Sequence, residues 1–222
     1  MGVVGRETAA PTPYTESLTL TDIRYGIFLR PDAATCWNVT QVTLALERQF
    51  GLVSAGAFPP HATLIGNLAT DASENHLAAA LETVFTGLRR FPVYNSGIVR
   101  TVGYHYDVNL DELGLLPNEP LNRVARAVKE TVLPLSVPVE DFIVTPVADY
   151  EFSGHLGLAS HELAVDESLA NQIGEFLEGL PVEPAPASFD ACWYSLFEFR
   201  SDWSGRWWEG MTWRHVRSWG AE

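Results

Sequence analysis

The chain has 222 residues, 46% hydrophobic and 19% charged, an ordinary globular composition with enough apolar material to bury a core. At roughly 150 residues per domain, that length suits one sizeable domain or two small lobes. Its 14 Lys and Arg against 28 Asp and Glu leave a net charge of −14, which argues against clamping long nucleic acid by phosphate neutralisation and against docking on anionic membrane, but not against a small anionic ligand held by a few residues.

The first residues, MGVVGRETAAPTPYTES, lack the basic start and apolar run of a signal peptide. Residues 1–21 are expected to form a flexible tail ahead of a single domain over 22–222. A first strand is predicted over 24–29, stopped by Pro31, and then a helix over 33–50 with Val39, Val42, Leu46 and Phe50 on one side. His61–Gly66 reads as a short strand after Pro59 and Pro60. Asp71 or Ser73 can cap a helix over about 73–90, whose stripe is Leu77, Leu81, Val84, Phe85 and Leu88. Residues 91–110 alternate in part and suggest a hairpin around Asn95-Ser96-Gly97. Leu121–Leu133 reads as a helix, 140–149 and 152–160 as strands, and Glu167–Leu180 as a helix. A strand over 189–200, a turn over Trp203–Trp208 and a last strand over Thr212–Trp219 complete the chain. Helices interspersed with hairpins predict an α+β class with largely antiparallel sheets.

Several chemistries are excluded. Lys129 is the only lysine and no glycine-rich loop precedes it, so there is no P-loop. No Gly-x-Ser-x-Gly elbow and no Gly-x-Gly-x-x-Gly occurs. His161-Glu162 begins like a zinc-protease motif, but Val165 stands at the second histidine position. Cys36 and Cys192 make neither a disulfide framework nor a Cys-x-x-Cys pair. No metal and no cofactor is expected.

What remains is a pair of segments, Pro60-His-Ala-Thr-Leu-Ile-Gly66 and Gly154-His-Leu-Gly-Leu-Ala159. Residues i and i+2 of a strand share a face. His61 and Thr63 therefore point one way and Ala62 and Leu64 the other; His155 and Gly157 oppose Leu156 and Leu158 likewise. Each strand presents a histidine to a cleft from an apolar anchor. Two imidazoles suit phosphodiester cleavage, since one takes a proton from water or a hydroxyl and the other gives one to the leaving oxygen. The Thr63 hydroxyl can donate to a phosphate oxygen as charge develops.

With Arg24-Tyr-Gly-Ile-Phe-Leu-Arg-Pro31 as first strand and the hairpin from Leu196-Phe-Glu-Phe-Arg200 onward, these segments make the chain resemble the 2H phosphoesterase superfamily, the 2′-5′ RNA ligase-like and cyclic nucleotide phosphodiesterase proteins. The resemblance covers about residues 22–219. It implies a two-lobed, pseudo-symmetric α+β fold, antiparallel sheets with outer helices and a central cleft, with His61, Thr63 and His155 catalytic. One position departs from the family pattern: Gly157 stands where the second motif has Thr or Ser. A backbone N–H, Ser153 or Ser160 could replace that hydroxyl.

Gly157, Tyr25, Tyr104 and Tyr150 are expected to bind substrate, with His105 a further residue that could line the cleft. The tryptophans of the last thirty residues either form a stacking wall for a base or seal the lobe. Arg30 and Arg100 read as rim residues, and His76, His161 and His215 as surface or structural. The expected activity is metal-independent hydrolysis of a small nucleotide-like phosphodiester, foremost a 2′,3′-cyclic phosphate. In that reaction His155 activates water and His61 protonates the leaving oxygen, the two labels being exchangeable because sequence does not orient the substrate. Two other readings are a degenerate nucleotide or RNA-end binding protein and a phosphodiesterase for a signalling oligonucleotide or biosynthetic intermediate. The expected partner is a small nucleotide or RNA-terminus phosphodiester, with no long nucleic acid and no membrane. A monomer in the cytoplasm is expected.

Overall fold

The computed structural model describes residues 23–139, 145–180 and 187–222; the predicted tail at 1–21 lies outside them. The chain opens with β1 (Ile23–Arg30) and α1 (Ala33–Phe50). Asp32 caps the helix by accepting from the Thr35 N–H at 2.8 Å, and Gly51 ends it in the left-handed region at φ 72°. Next come β2 (Ala62–Leu68), α2 (Glu74–Phe85), β3 (Pro92–Tyr94), β4 (Ile98–Arg100), β5 (Tyr104–Asp107) and α3 (Glu119–Val132). Ser73 caps α2 and Asn118 caps α3. The chain closes with β6 (His155–Ala159), α4 (His161–Val165), α5 (Ala170–Gly179), β7 (Ser188–Asp190), β8 (Trp193–Arg200) and β9 (Thr212–Gly220).

The seven-stranded sheet has the order β4-β5-β6-β2-β1-β8-β9, and β3 pairs with β7 beside it. Every pairing is antiparallel. The two histidine segments lie side by side at the centre, with β2 and β6 joined in register at Ala62 and Leu156. The sheet does not follow the order of the chain: the C-terminal β8 and β9 extend the side that holds β1 and β2, whereas β4 and β5 extend the side that holds β6. The helices cross over in the same way, α1 packing on β6 and α3 on β2.

Alternation along the strands separates two faces. Tyr25, Ile27 and Leu29 of β1, Ala62 and Leu64 of β2, and Leu156 and Leu158 of β6 join the apolar stripes of α1, α2, α3 and α5 in the main core. Each fully buried Leu or Ile there contributes about 1.5–3 kcal/mol. On this face Glu198, nearly inaccessible, takes Arg200 at 2.7 Å and Arg214 at 2.5 Å, and Arg214 also pairs with Glu74 at the start of α2. The opposite face carries a separate aromatic cluster of Phe28, Phe58, Phe197, Phe199, Trp203, Trp207 and Trp208.

Several local expectations change. The hairpin turns at Thr101–Gly103, joining β4 to β5, and not at Asn95-Ser96-Gly97, because β3 leaves to pair with β7. Gly103 is required at that turn, since a side-chain carbon there would meet the Ala159 carbonyl oxygen at 2.1 Å. The predicted strand at 140–149 lies outside the described residues as far as 144, and 147–149 form a turn. The helix predicted over 167–180 begins at Ala170, after the short α4. The helix predicted to about 90 ends at Phe85.

Candidate active site

The aromatic face holds a cavity of about 320 Å³. His61, Thr63 and Gly66 reach it from β2 and the residue before it, and His155 and Gly157 reach it from β6. Tyr150 and Thr145 close one side, Phe28, Phe58, Phe199, Trp207 and Met211 another. The i, i+2 alternation thus delivers both histidines and Thr63 to one space, as the sequence predicts. Tyr150 lines it too, and its hydroxyl donates to the Thr63 carbonyl at 3.2 Å. Tyr25 and Tyr104 do not reach it. Tyr25 lies in the main core, and the Tyr104 hydroxyl donates to the Ala170 carbonyl at 2.9 Å, beneath α5.

Both histidines are held by the same device. His61 Nδ1 is 2.8 Å from the Pro59 carbonyl oxygen and His155 Nδ1 is 2.7 Å from that of Ser153, in each case two residues back. A carbonyl only accepts, so Nδ1 carries the proton in each neutral ring and Nε2 remains as the reactive nitrogen.

Their surroundings differ. His61 lies against Phe28 and Phe58, with ring centroids 4.4 and 4.8 Å away. Burial pushes its pKa down to about 4, against the Pro59 carbonyl, which favours the charged form; the charge of His155 lowers it further. Among the described residues no phenyl ring packs against His155 as Phe28 and Phe58 do against His61. Its ring neighbour is His105, at 4.9 Å.

Part of the cavity lining is polar, with Ser54, Ser160 and His161 supported by Glu162 behind them. Glu162 is buried at the start of α4, and its Oε1 accepts from the N–H groups of Val53 and Ser54, each at 2.7 Å. Its Oε2 accepts from the Ser54 hydroxyl. Ser54 Oγ accepts in turn from the His161 N–H at 3.2 Å and lies 3.1 Å from Ser160 Oγ. The single Ser54 proton is committed to Glu162, so Ser160 is the donor in that last contact. Ser160 lines the cavity with its proton already used, and it faces a ligand as an acceptor.

His161, read from sequence as surface or structural, lines the same cavity. Its ring lies 4.8 Å from Trp207 and 5.4 Å from Trp208, and burial lowers its pKa. Ser54, Ser160, His161 and Glu162 do not form a hydrolytic triad, since His161 reaches Ser54 through its backbone and not its ring. Sequence reasoning pointed to Ser160 as a substitute hydroxyl and to His161-Glu162 after a strand, but gave no sign of Ser54 or of the Glu162 contacts. Of the C-terminal tryptophans, Trp203, Trp207 and Trp208 seal the aromatic cluster and Trp219 joins the main core; Trp207 alone among them touches the cavity. Among the described residues no cluster of three or more His, Cys, Asp or Glu could hold a metal ion, and no helix is long and apolar enough to cross a membrane.

No family model and no curated protein matches the sequence. Solved structures do match. TT0787 of Thermus thermophilus superposes with a TM-score of 0.53 at 13% identity, over 89% of this chain and 97% of that one. E. coli LigT complexed with NADP+ gives a TM-score of 0.50 at 12% identity, over 89% of this chain and 96% of that one. The mixed helix and antiparallel sheet, which bring His61 and His155 to one cavity, therefore share the fold of LigT and TT0787.

Proposed function

We propose that the protein is a phosphodiesterase that hydrolyses a small nucleotide-like phosphodiester, foremost a 2′,3′-cyclic phosphate, by acid–base catalysis with two histidines and no metal. The observation that carries this reading is the matched pair of Nδ1–carbonyl contacts, which leaves Nε2 free on both His61 and His155 at one cavity. A volume of about 320 Å³ is at the small end of ligand cavities, roughly 300–1,000 Å³, and suits a mononucleotide better than an oligomer. LigT, similar in fold, is seen complexed with NADP+.

The low proton affinity of His61 favours it as the base, the reverse of the assignment expected from sequence. His61 Nε2 takes a proton from water as the water oxygen bonds to phosphorus. The bond from phosphorus to one ribose oxygen breaks, and His155 gives that oxygen a proton, leaving a phosphomonoester. A bound phosphate anion raises the proton affinity of His61 toward the working range. Thr63 donates to a non-bridging oxygen.

The test is turnover of 2′,3′-cyclic nucleotides in EDTA. His61→Ala and His155→Ala should each lower kcat by about 10²–10⁴-fold. Activity that survives both substitutions would sink the assignment.

Gly157 favours a second reading, a nucleotide-binding protein without turnover on the same fold. Calorimetry that finds tight nucleotide binding and no hydrolysis across a panel of cyclic and linear substrates, signalling oligonucleotides among them, would select it.

A further inference from the structure

We propose that His105 supplies, from the neighbouring strand, the hydrogen bond to a phosphate oxygen that position 157 of β6 lacks. The inference rests on the phosphodiester reading of this site. In the β5–β6 ladder His105 stands directly opposite Gly157 and Asp107 directly opposite His155. Residues directly opposite in an antiparallel pair share a face. His105 is therefore on the same side of the sheet as Gly157, beside the cavity and not in its lining, and its ring leans along the diagonal to lie 4.9 Å from the His155 ring.

Of the two serines that could serve instead, Ser160 is committed elsewhere and Ser153 meets His155 through its backbone. Ser160 donates its proton to Ser54, whose own proton goes to Glu162. Ser153 is exposed and contributes its carbonyl to His155. His61 and His155 each commit Nδ1 to a carbonyl, whereas the His105 ring makes no hydrogen bond within the described residues. The space beside it is open, since a side-chain carbon built on Gly157 meets nothing within 4 Å. A phosphate oxygen can enter that slot with His155 on one side and His105 on the other.

The charged and titratable groups that act on His105 are His155 and Asp107. Burial and the His155 charge favour its neutral form, and Asp107 opposes them. A neutral imidazole still carries one N–H, and one donor is what the slot needs.

The experiment compares wild type with His105→Ala, His105→Gln and the double variant His105→Ala/Gly157→Thr, on 2′,3′-cyclic AMP and on inorganic phosphate. Loss of one such donor lowers kcat by about 10²-fold, and that is the expected loss for His105→Ala. His105→Gln keeps an N–H donor and should retain most activity. A side-chain carbon at 157 meets nothing within 4 Å, so the double variant should recover at least about ten-fold of the loss, the threonine hydroxyl restoring the donor. Calorimetric titration with inorganic phosphate should show weaker binding by His105→Ala and recovery in the double variant. His105→Ala matching wild type in both turnover and phosphate affinity overturns the inference, as does a folded double variant that recovers neither. If wild type turns over no nucleotide yet phosphate binding depends on His105, the catalytic reading fails and the phosphate contact stands.

Discussion

Phe28 lies edge-on to His61, their ring centroids 4.4 Å apart and their planes at 69°. It reaches that position by folding back over Gly26, two residues earlier on the same face of β1. A side-chain carbon at Gly26 would meet the Phe28 ring at 2.1 and 2.3 Å and Phe199 at 3.0 Å. The absent side chain at 26 therefore sets how closely a phenyl ring desolvates the proposed base.

Gly26→Ala should displace Phe28 and let water reach His61. The His61 pKa then rises from about 4 toward its ordinary value near 6.5. Because His61 acts as base only when neutral, the acidic limb of the kcat/KM profile moves to higher pH by the same amount. Histidine titration by NMR, beside the pH–rate profile, measures both shifts. An unmoved His61 resonance would show that the Phe28 wall does not set its proton affinity.

Much of this arrangement was legible in the sequence. The alternation of His61-Ala-Thr-Leu and His155-Leu-Gly-Leu placed both histidines on one face, and Ser73, one of the two caps the sequence offered, marks where α2 starts. What was not legible depends on partners far away along the chain. Ser54 gains its role from Glu162, 108 residues later, and His161 from Trp207 and Trp208. His105 becomes informative only once the β5–β6 register sets it opposite Gly157. Tyr25 misled because its phase on β1 follows Ile27 and Leu29 into the core, whereas Phe28, one step out of phase, faces the cavity. Period-two reasoning fixes which residues of one strand share a face, but not which face of a neighbouring strand joins them.

The Glu162 node gives a stability prediction. Three donors converge on this buried carboxylate, from Val53 N, Ser54 N and Ser54 Oγ. Each buried donor left without a partner costs about 1–3 kcal/mol. Glu162→Ala should therefore destabilise the protein by about 3 kcal/mol or more, well above the ~1 kcal/mol of a typical substitution. Glu162→Gln keeps one acceptor oxygen and should fall between. Ser54, Ser160 and His161 line the cavity, so KM should rise in both variants where enough folded protein remains. Urea unfolding provides the stability scale, and a Glu162→Ala midpoint equal to wild type would show that these contacts do not hold this part of the cavity lining.

The burial of His61 also ties stability to pH, with a definite sign. Its folded-state pKa is about 4 and its unfolded value near 6.5. Between those limits the unfolded chain binds a proton that the folded chain does not, so unfolding becomes more favourable as pH falls. The penalty is absent above about 6.5 and complete below about 4, and one proton contributes a slope of at most about 1.4 kcal/mol per pH unit. His105 and His161, both lowered by burial, act in the same direction. His61→Gln removes only the first of these contributions. Denaturant unfolding of wild type and His61→Gln across pH 4 to 7 should therefore give curves that converge at one end and separate at the other. Relative to its own value at pH 7, wild type loses more stability toward pH 4 than the variant. Parallel curves would mean that His61 has the same proton affinity folded and unfolded, and the assignment of His61 as the neutral partner would go with them.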